Sequence, residues 1–424
     1  MENTTEKREI LDSATCHLRF KANNGRDYPT KKAGKLGDIA IRVSRKAPAT
    51  SKAPIMMISA ASGYIYQSDR YAKDNTGTSL KNYTLLKRGE LSYNHGYSKL
   101  RNYGSCFTLC EEDEARIPNV YHSFSILDND PYYFGIYLNC GLFDKELKKA
   151  VSSTARMDGL LNIAFDDYMA LPINIPCIEE QKKIVAFFSA YDEKIALQKD
   201  QVETLEKRKK GLLQKIFSQE LRFKADDGNE YPEWSNGQIL DLLMQPITDG
   251  PHETPILVSH GIPFISADAI KEGRIDFSRK RGYITEKYNE ECGKKYSPQP
   301  LDVYMIKSGS TTGETAIVTT KEPFNIWSPL AALRCGKKSV PYFLYSLLQS
   351  SGIQTQVKNK CSHGTQPNLS MRQLEMFSVK IPSIEEQKKI ADFFVSVDTQ
   401  IYLAKDKLET MKEIKKGLLQ QMFC

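Results

Sequence analysis

Residues able to contact a nucleic acid are concentrated between positions 87 and 101, where basic, amide and aromatic side chains alternate. Lysine and arginine suit backbone phosphates, whereas amides, hydroxyls and histidine suit the edges of bases. Similar polar groups occur near position 156 and in three turn-like segments, 249–252, 307–312 and 362–366. Taken alone, each of these loops is also typical of an ordinary solvated turn. The predicted DNA-binding residues are Lys87, Arg88, Tyr93, Asn94, His95, Tyr97, Ser98, Lys99, Arg101, Arg156, His252, Lys307, Ser310, Thr311, Thr312, His363, Thr365 and Gln366.

Patterns typical of catalysis are nearly absent from the sequence. The segment Gly309–Gly313 lacks the lysine of a phosphate-binding loop, so it is interpreted as a polar turn. The string Asn129-Asp130-Pro131-Tyr132 lacks the second proline of an amino-methyltransferase motif, and no glycine-rich cofactor loop precedes it. The nine cysteines form no CxxC pair and the six histidines are dispersed, which argues against a zinc site. We therefore predict no catalytic residue and no metal ligand.

Composition and charge limit the class of protein. The 424 residues suggest two or three domains, and 40% hydrophobic with 26% charged residues is typical of a globular protein. No apolar run reaches the roughly 20 residues of a membrane helix, the first residues do not form a secretory signal, and the scattered cysteines favour reduced thiols, so a cytoplasmic protein is expected. Lys and Arg exceed Asp and Glu by 59 − 52 = +7. The balance is +10 over residues 1–101 and −6 over 102–170, which suggests that one face meets a polyanion.

An internal duplication organises the chain. Residues 175–217 and 381–423 align without a gap at an offset of 206, with 25 identities in 43 positions. Each copy opens on IPxIEEQKKI and closes on KKGLLQ. A shorter match links LRFKANNGRDYP at 18–29 with LRFKADDGNEYP at 221–232. The variable regions between these motifs hold β-rich strings (IRVSR, PIMMISA, GIPFIS, TAIVTT) among Gly, Asn and Ser turns, which is typical of mixed α/β modules, and a helix is predicted near 341–357.

Each copy of the long repeat is predicted to be a helix that packs against its counterpart. Apolar residues recur at alternating spacings of four and three over about five heptads, which is the pattern of a coiled-coil seam. Ser383 and Glu386 fit a capping box at the start of the second helix, whereas Cys177 stands at the cap position of the first. The predicted coiled-coil and partner-contact residues are Ile184, Phe188, Ile195, Val202, Leu205, Leu212, Ile390, Phe394, Ile401, Leu408, Met411 and Leu418.

These features together resemble the specificity (S) subunit of a bacterial type I restriction-modification enzyme. The resemblance covers essentially the whole chain and rests on the duplicated long blocks, the RFKxxxGxxYP lead-ins, and the DGPHETP, GIPFIS and HGTQPNLS segments. It implies an α/β (α+β) fold in which two target-recognition domains alternate with two long helices that pair as an antiparallel coiled coil, with pseudo-two-fold symmetry. The recognition domains would be 1–174 and 218–380, and the helices 175–217 and 381–424.

The resemblance also implies partners. Each recognition domain would read one half of a bipartite, asymmetric site in double-stranded DNA. The helices would bind two methyltransferase (M) subunits, and restriction-translocase (R) subunits would join that core. S-adenosylmethionine, ATP and Mg²⁺ would belong to those partners, and no cofactor is expected in this chain. A helix of about 38 residues is roughly 57 Å long, the length of about 16–17 base pairs, which fits two half-sites with an unread spacer.

The surface that would bind the M subunits is less well defined by sequence. The exposed helix faces are candidates, together with Phe187, Phe188, Phe393 and Phe394. Burial of these phenylalanines against the recognition domains is the alternative. Base-contact residues vary widely in this family, so the predicted DNA contacts rest on residue chemistry alone.

Other functions remain open at this stage. A coiled-coil scaffold that does not bind DNA would show no sequence preference at any salt concentration, but the basic segment 1–101 and the duplicated variable modules argue against it. An enzyme in its own right would need a methyltransferase domain of several hundred further residues. An inactive orphan specificity allele is the remaining alternative.

Overall fold

The structure, a computed structural model, describes residues 18–48, 50–70, 82–151, 161–362 and 367–423. The chain forms two compact units. The first contains the residues up to Leu197 together with those from Lys407 onward, and the second contains Gln198–Asp406. Within the described residues, no helix is long and apolar enough to cross a membrane.

The first unit is built on an antiparallel sheet of four strands in the order β2-β9-β6-β7, and three two-stranded pairs, β1-β10, β3-β4 and β5-β8, accompany it. The central strand β6 is buried on both faces, and the hydroxyl groups of Ser92 and Ser123 satisfy each other there at 2.7 Å. The elements are β1 (Lys32–Lys35), β2 (Ala40–Arg42), β3 (Met56–Ser59), β4 (Gly63–Tyr66), α1 (Gln67–Arg70), β5 (Thr84–Lys87), β6 (Leu91–Asn94), β7 (Ser105–Thr108), β8 (Glu114–Ile117), β9 (His122–Ile126), α2 (Pro131–Tyr137), α3 (Asp144–Ala150), α4 (Phe165–Met169), β10 (Pro172–Ile175) and the first part of α5 (Ile178–Phe217).

The second unit has an equivalent four-stranded sheet in the order β12-β20-β17-β18, with a three-stranded sheet β16-β13-β19 and the pairs β11-β21 and β14-β15. Strands β17 and β20 are buried along their whole length, which explains their continuous apolar sequences. The elements are β11 (Ser235–Gln238), β12 (Thr248–Asp249), β13 (Ile262–Ile265), β14 (Ile270–Lys271), β15 (Arg274–Ile275), β16 (Gly282–Ile284), α6 (Glu286–Gly293), β17 (Val303–Ile306), β18 (Thr315–Ile317), β19 (Asn325–Ile326), β20 (Leu330–Leu333), α7 (Pro341–Gln349), α8 (Ser351–Lys360), α9 (Met371–Glu375), β21 (Ser378–Ile381) and α10 (Ile384–Phe423).

Local sequence explains most of these elements. Three of the four β-rich strings contain β3, β13 and β18, and the fourth, IRVSR, overlaps β2. The single helix predicted near 341–357 is two helices, α7 and α8. They separate at Ser350, whose backbone is extended and whose hydroxyl caps α8 by accepting the N–H of Ile353.

The two long helices pack antiparallel, as predicted. In the second unit Lys209, near the end of α5, forms an ion pair of 2.6 Å with Asp398 in the first half of α10. In the first unit Lys415 and Asp192 form the equivalent ion pair. Both contacts join positions that correspond in the sequence repeat. The duplication in sequence is therefore also a duplication of helix contacts.

Burial along the helices follows the predicted seam. Ile184, Val202, Ile390, Ile401 and Leu408 are buried, as are the seam positions that hold Gln198 and Ala404, where the Gln198 amide donates to the Ala404 carbonyl at 3.1 Å. The other predicted seam residues, Ile195, Leu205, Leu212, Met411 and Leu418, are half-buried. This distribution is what one packed face of a helix requires.

The phenylalanines of the repeat pack against other aromatic side chains of the two units. Phe188 and Phe394 are fully buried and stack on Phe423 and Phe217, each from the end of the other helix. Phe187 and Phe393 are half-buried against phenylalanines of the two lead-ins, Phe20 and Phe223. The prediction of a partner contact is therefore wrong for Phe188 and Phe394, because these side chains are buried inside the units. For Phe187 and Phe393 it stays a prediction.

The start of each long helix binds the lead-in segment through a buried glutamate. Glu180 accepts from Arg19 Nε at 2.9 Å, and Glu386 accepts from Arg222 Nη2 at 2.9 Å. The predicted capping box at Ser383 is only half formed. The N–H of Glu386 donates to Ser383 Oγ at 3.3 Å, but the Glu386 carboxylate turns to Arg222 instead of to the helix start.

The next residue of each repeat joins the helix to the recognition domain. Gln181 accepts the N–H of Asp130 at 2.8 Å, and Gln387 accepts the N–H of Val340 at 3.0 Å. Asp130 and Val340 are the residues before α2 and α7, so each glutamine binds the start of a recognition-domain helix. The EEQ string of the repeat thus positions the lead-in and the recognition domain in both units.

Candidate nucleic-acid interface

One edge of each central sheet carries the candidate interface. In the first unit β2 and β6 both pair antiparallel with β9, so they run in the same direction and end at the same edge. In the second unit β12 and β17 have the same relation to β20. The loops that follow these strands therefore share one edge in each unit, and they contain most of the predicted DNA-binding residues.

In the second unit three polar loops that are distant in sequence converge at this edge. Lys307, directly after β17, lies 3.2 Å from the carboxylate of Asp249 at the end of β12. The N–H of Gly309 donates to the carbonyl of Pro367 at 3.0 Å, and the N–H of Leu369 donates to the carbonyl of Lys307 at 2.8 Å. The predicted residues His363, Thr365 and Gln366 directly precede this last segment and lie outside the described residues.

The first unit repeats this main-chain arrangement with different side chains. His95 directly follows β6, and its carbonyl accepts the N–H of Leu161 at 2.8 Å, as the carbonyl of Lys307 accepts that of Leu369. The predicted residue Arg156 lies in the segment before Leu161, outside the described residues. His95 and Lys307 therefore make the same main-chain contact in the two units, which the sequence alone did not indicate.

Two of the predicted contacts in the first unit are core residues. Tyr93 is buried and stacks on Tyr168 at 3.9 Å, and burial raises the pKa of its phenol well above the usual range. His95 is buried with its ring nitrogens 2.6 Å and 2.8 Å from the carbonyl oxygens of Leu161 and Val120. We withdraw both as DNA contacts, because neither side chain reaches the surface. The polar pattern that favoured them reflects satisfied hydrogen bonds inside the unit.

The neighbouring residues form the exposed part of this edge. Tyr97 is 62% exposed, and Lys99 is also exposed. Residues 98–101 form a turn. It is closed by a hydrogen bond in which the Arg101 N–H donates to Ser98 Oγ at 3.0 Å. Asn94 is half-buried, and its amide donates to the carbonyl of Ile58 at 3.2 Å.

Lys87 and Arg88 lie at the end of β5 and in the turn that follows it, and both are exposed. The Arg88 guanidinium donates to the carboxylate of Asp113 at 3.0 Å, which raises the pKa of Arg88. Because this ion pair is exposed to solvent, it is weak, and the guanidinium can exchange it for a phosphate.

Ser310, Thr311 and Thr312 line a cleft of about 1020 Å³ in the second unit, and Lys210 of α5 and Lys405 of α10 line the same cleft. The predicted hydroxyl-rich loop therefore shares a large cleft with charged side chains of both long helices. Lys405 is held there by ion pairs with Glu206 at 2.5 Å and Glu272 at 2.8 Å.

Sequence reasoning missed three residues at this edge. Lys295 forms an ion pair with Asp249, although 46 positions separate the two residues. The Arg281 guanidinium lies over the ring of Trp327 at 4.0 Å from its centre. No local pattern links these positions, since the three side chains come from separate strands, loops and helix ends.

The fold is that of type I specificity subunits. A crystal structure of the type I restriction-modification S subunit from M. genitalium aligns over 97% of this chain and 99% of its own, with a TM-score of 0.54 and 15% identity. A structure described as showing complex assembly and conformational transition of the type I R-M system aligns over 93% and 98%, with a TM-score of 0.53 and 15% identity.

Sequence comparison then places the chain in a family. The family model described as the type I restriction modification DNA specificity domain matches residues 123–207 and 251–413, more than half of the chain. The chain belongs to this family, which confirms the resemblance seen in its sequence.

Two curated relatives come from Methanocaldococcus jannaschii. The putative type I restriction enzyme MjaX specificity subunit is 25% identical over 306 residues, and the type I restriction enzyme MjaVIII specificity subunit is 22% identical over 288 residues. The matches cover 68% and 65% of this chain, and they span 66% and 67% of the two relatives.

Proposed function

We propose that this chain is the non-catalytic recognition subunit of a type I restriction-modification complex and reads a bipartite, asymmetric site in double-stranded DNA. The observation that carries this proposal is the shared loop edge of the two units. Each unit attaches one set of variable polar loops to the same sheet, next to the same helix junction. Such loops on a constant scaffold are the usual means of varying specificity without changing the fold.

The two edges differ in chemistry, so the two half-sites would differ in sequence. The first edge presents Tyr97 and Lys99, whereas the second carries His252 and the hydroxyl-bearing residues Ser310, Thr311 and Thr312. A tyrosine ring and a lysine make different base and phosphate contacts from a row of short hydroxyls. An asymmetric target follows from this difference.

Two M subunits would bind two equivalent surfaces of the long helices. Leu197 of α5 and Leu403 of α10 occupy the same position of the sequence repeat and are 62% and 59% exposed. An exposed leucine at the same point of both helices supports a repeated apolar contact. The R subunits would join this core, and S-adenosylmethionine, ATP and Mg²⁺ would be bound by the partner subunits.

In the proposed mechanism this chain recognises the DNA, and its partner subunits catalyse the reactions. The recognition loops would hold the duplex in register, and each M subunit would rotate its target adenine out of the helix and methylate it. Two unmethylated half-sites would license cleavage by the R subunits. The residues of this chain therefore bind and orient DNA, and the chemistry takes place on partners.

Methylome sequencing tests the proposal. Adenine methylation is compared between a host that expresses this chain with its cognate M subunit and a host that expresses the M subunit alone. The expected result is a new split, asymmetric motif with methyladenine in both halves. A host with both proteins but no new motif would contradict the proposal, and DNA binding by the complex at several salt concentrations would then distinguish a scaffold from an inactive allele.

A further inference from the structure

The end of β12 holds an unusual cluster of charge. Asp249 is fully buried, and one oxygen of its carboxylate forms an ion pair with Lys295. The other oxygen lies 3.2 Å from Lys307 Nζ and 3.1 Å from His252 Nε2, at angles that do not make hydrogen bonds. One carboxylate therefore faces two lysines and a histidine.

The cluster carries more positive charge than its own structure needs. One lysine would neutralise the buried carboxylate, and Lys307, which is only 11% exposed, already lies against it. The side chains of Lys295 and His252 are 50% and 71% exposed, so the cluster is open to the solvent on their side. The surplus is at least one positive charge, and an anion at the surface would balance it.

A neutral donor lies on the loop next to the one that holds His252. The loop after β12 lies against the segment around Trp327, since the N–H of Ser328 donates to the carbonyl of Pro251 at 3.2 Å. The indole N–H of Trp327 is buried and has no hydrogen-bond partner among the described residues. Glycine is required at position 250, because a Cβ atom there would collide with the carbonyl of Ile326. The close approach of these two loops is therefore built into the backbone.

We propose that this cluster, formed by Asp249, His252, Lys295, Lys307 and Trp327, is a phosphate anchor that fixes the second recognition domain on the DNA backbone. Asp249 holds the lysines in place, and Lys295 supplies the exposed cation. The anchor lies at the same sheet edge as the hydroxyl-rich loop that follows Lys307, so a phosphate bound there sets the register of that loop against the bases. The inference rests on the proposed DNA-recognition function.

Salt dependence of binding tests the anchor. The assembled complex of this chain with its M subunit is titrated with a duplex that carries the mapped bipartite site, between 50 and 200 mM salt. Lys295→Ala is expected to weaken binding and to reduce the slope of log affinity against log salt by about one unit. The affinity ratio of wild type to variant should then shrink about 3.5-fold across this range. Lys295→Arg, which keeps the charge, should restore the slope.

Lys294→Ala is the matched control, because it removes the same charge from the adjacent residue, which forms no ion pair with a described residue. An equal loss of slope in both variants would overturn the anchor, and so would a Lys295→Ala variant with wild-type affinity and slope. If Lys295→Ala keeps the salt slope but relaxes recognition at one base pair, Lys295 contacts a base and not a phosphate, and the anchor is wrong. A wild-type complex that does not prefer the mapped site would instead refute the proposed function itself.

Discussion

Glu386 shows how one side chain can join three parts of the fold. Its carboxylate accepts hydrogen bonds from Arg222 of the lead-in and from the indole of Trp234, both at 2.9 Å, while its N–H donates to Ser383 Oγ, which caps α10. The carboxylate is completely buried, and its removal would leave the mostly buried Arg222 side chain with only the exposed Glu233 as a charge partner. Glu180 binds Arg19 of the lead-in in the same way in the first unit.

Glu386→Ala is therefore expected to lower the free energy of unfolding by about 3 kcal/mol. Chemical denaturation of the full chain measures this loss. Glu385→Ala is the matched control, because Glu385 is exposed in the same helical turn and should change stability by less than about 0.5 kcal/mol. Equal stabilities of the two variants would show that the buried ion pair contributes nothing.

His122 makes the stability of the first unit depend on pH. Burial lowers the pKa of this histidine, and nearby positive charge acts in the same direction, while a hydrogen bond to the Ile163 carbonyl opposes both. The unfolded chain therefore takes up the proton at a higher pH, near 6.5, than the folded chain. Stability is fully present above about pH 6.5 and falls as the pH decreases through the lower, folded pKa.

His122→Gln should flatten this dependence, because glutamine cannot take up the proton but can still donate to the Ile163 carbonyl. Urea unfolding between pH 5 and pH 8 measures the slope. His260→Gln removes an exposed histidine and should leave the wild-type slope. The assignment fails if the His122 variant loses stability on acidification as steeply as wild type does.

At the scale of elements, the sequence predicted the two long helices, whose apolar residues repeat at regular spacings. The heptad pattern identified α5 and α10 to within three residues at their starts, because a buried seam must repeat along a helix. The roles of Gln181 and Gln387 could not be predicted in this way. Their partners Asp130 and Val340 lie 51 and 47 positions away, and only the folded chain brings them together.

The candidate interface was predictable from the sequence only where local residues define a loop. Turn-forming sequences located the loop around Ser310, but hydrogen-bonding residue types alone did not separate exposed groups from satisfied core groups such as His95. Lys295 was missed because its interaction with Asp249 depends on the sheet edge and not on local sequence. Residue chemistry thus identified the kind of surface, and topology decided which side chains belong to it.

Two residues of α10 that are close in sequence lie on different faces of the helix, so their substitutions should have different effects. Ile401 is buried in the helix seam, whereas Leu403 is 59% exposed. Ile401→Asp places a charge in the seam and should destabilise the chain by about 3 kcal/mol or more. Leu403→Asp should leave the melting temperature nearly unchanged and weaken M-subunit binding. Calorimetry and a pull-down with the M subunit distinguish these effects, and a Leu403 variant that melts early but binds M normally would reverse the assignment of the two faces.

At the scale of the whole molecule, each unit contains a complete candidate interface. The loop after β6 is fixed to its own unit through the Leu161 hydrogen bond, and the loop after β17 is fixed through Leu369. Among the described residues, no loop of this kind belongs to both units, whereas each long helix contributes to both. A change in one loop should therefore alter recognition by one unit and leave the other intact.

This independence predicts the outcome of two loop variants in the methylome. Combined Tyr97→Ala and Lys99→Ala should relax or abolish recognition at bases of one half-site, because these exposed side chains belong to the first unit. Combined Ser310→Ala, Thr311→Ala and Thr312→Ala should affect only the other half, since these residues line the cleft of the second unit. Each lost base contact is worth about 1–3 kcal/mol of discrimination, enough to change the methylated motif visibly. If both variants lose recognition at the same bases of the motif, the two units do not read separate half-sites.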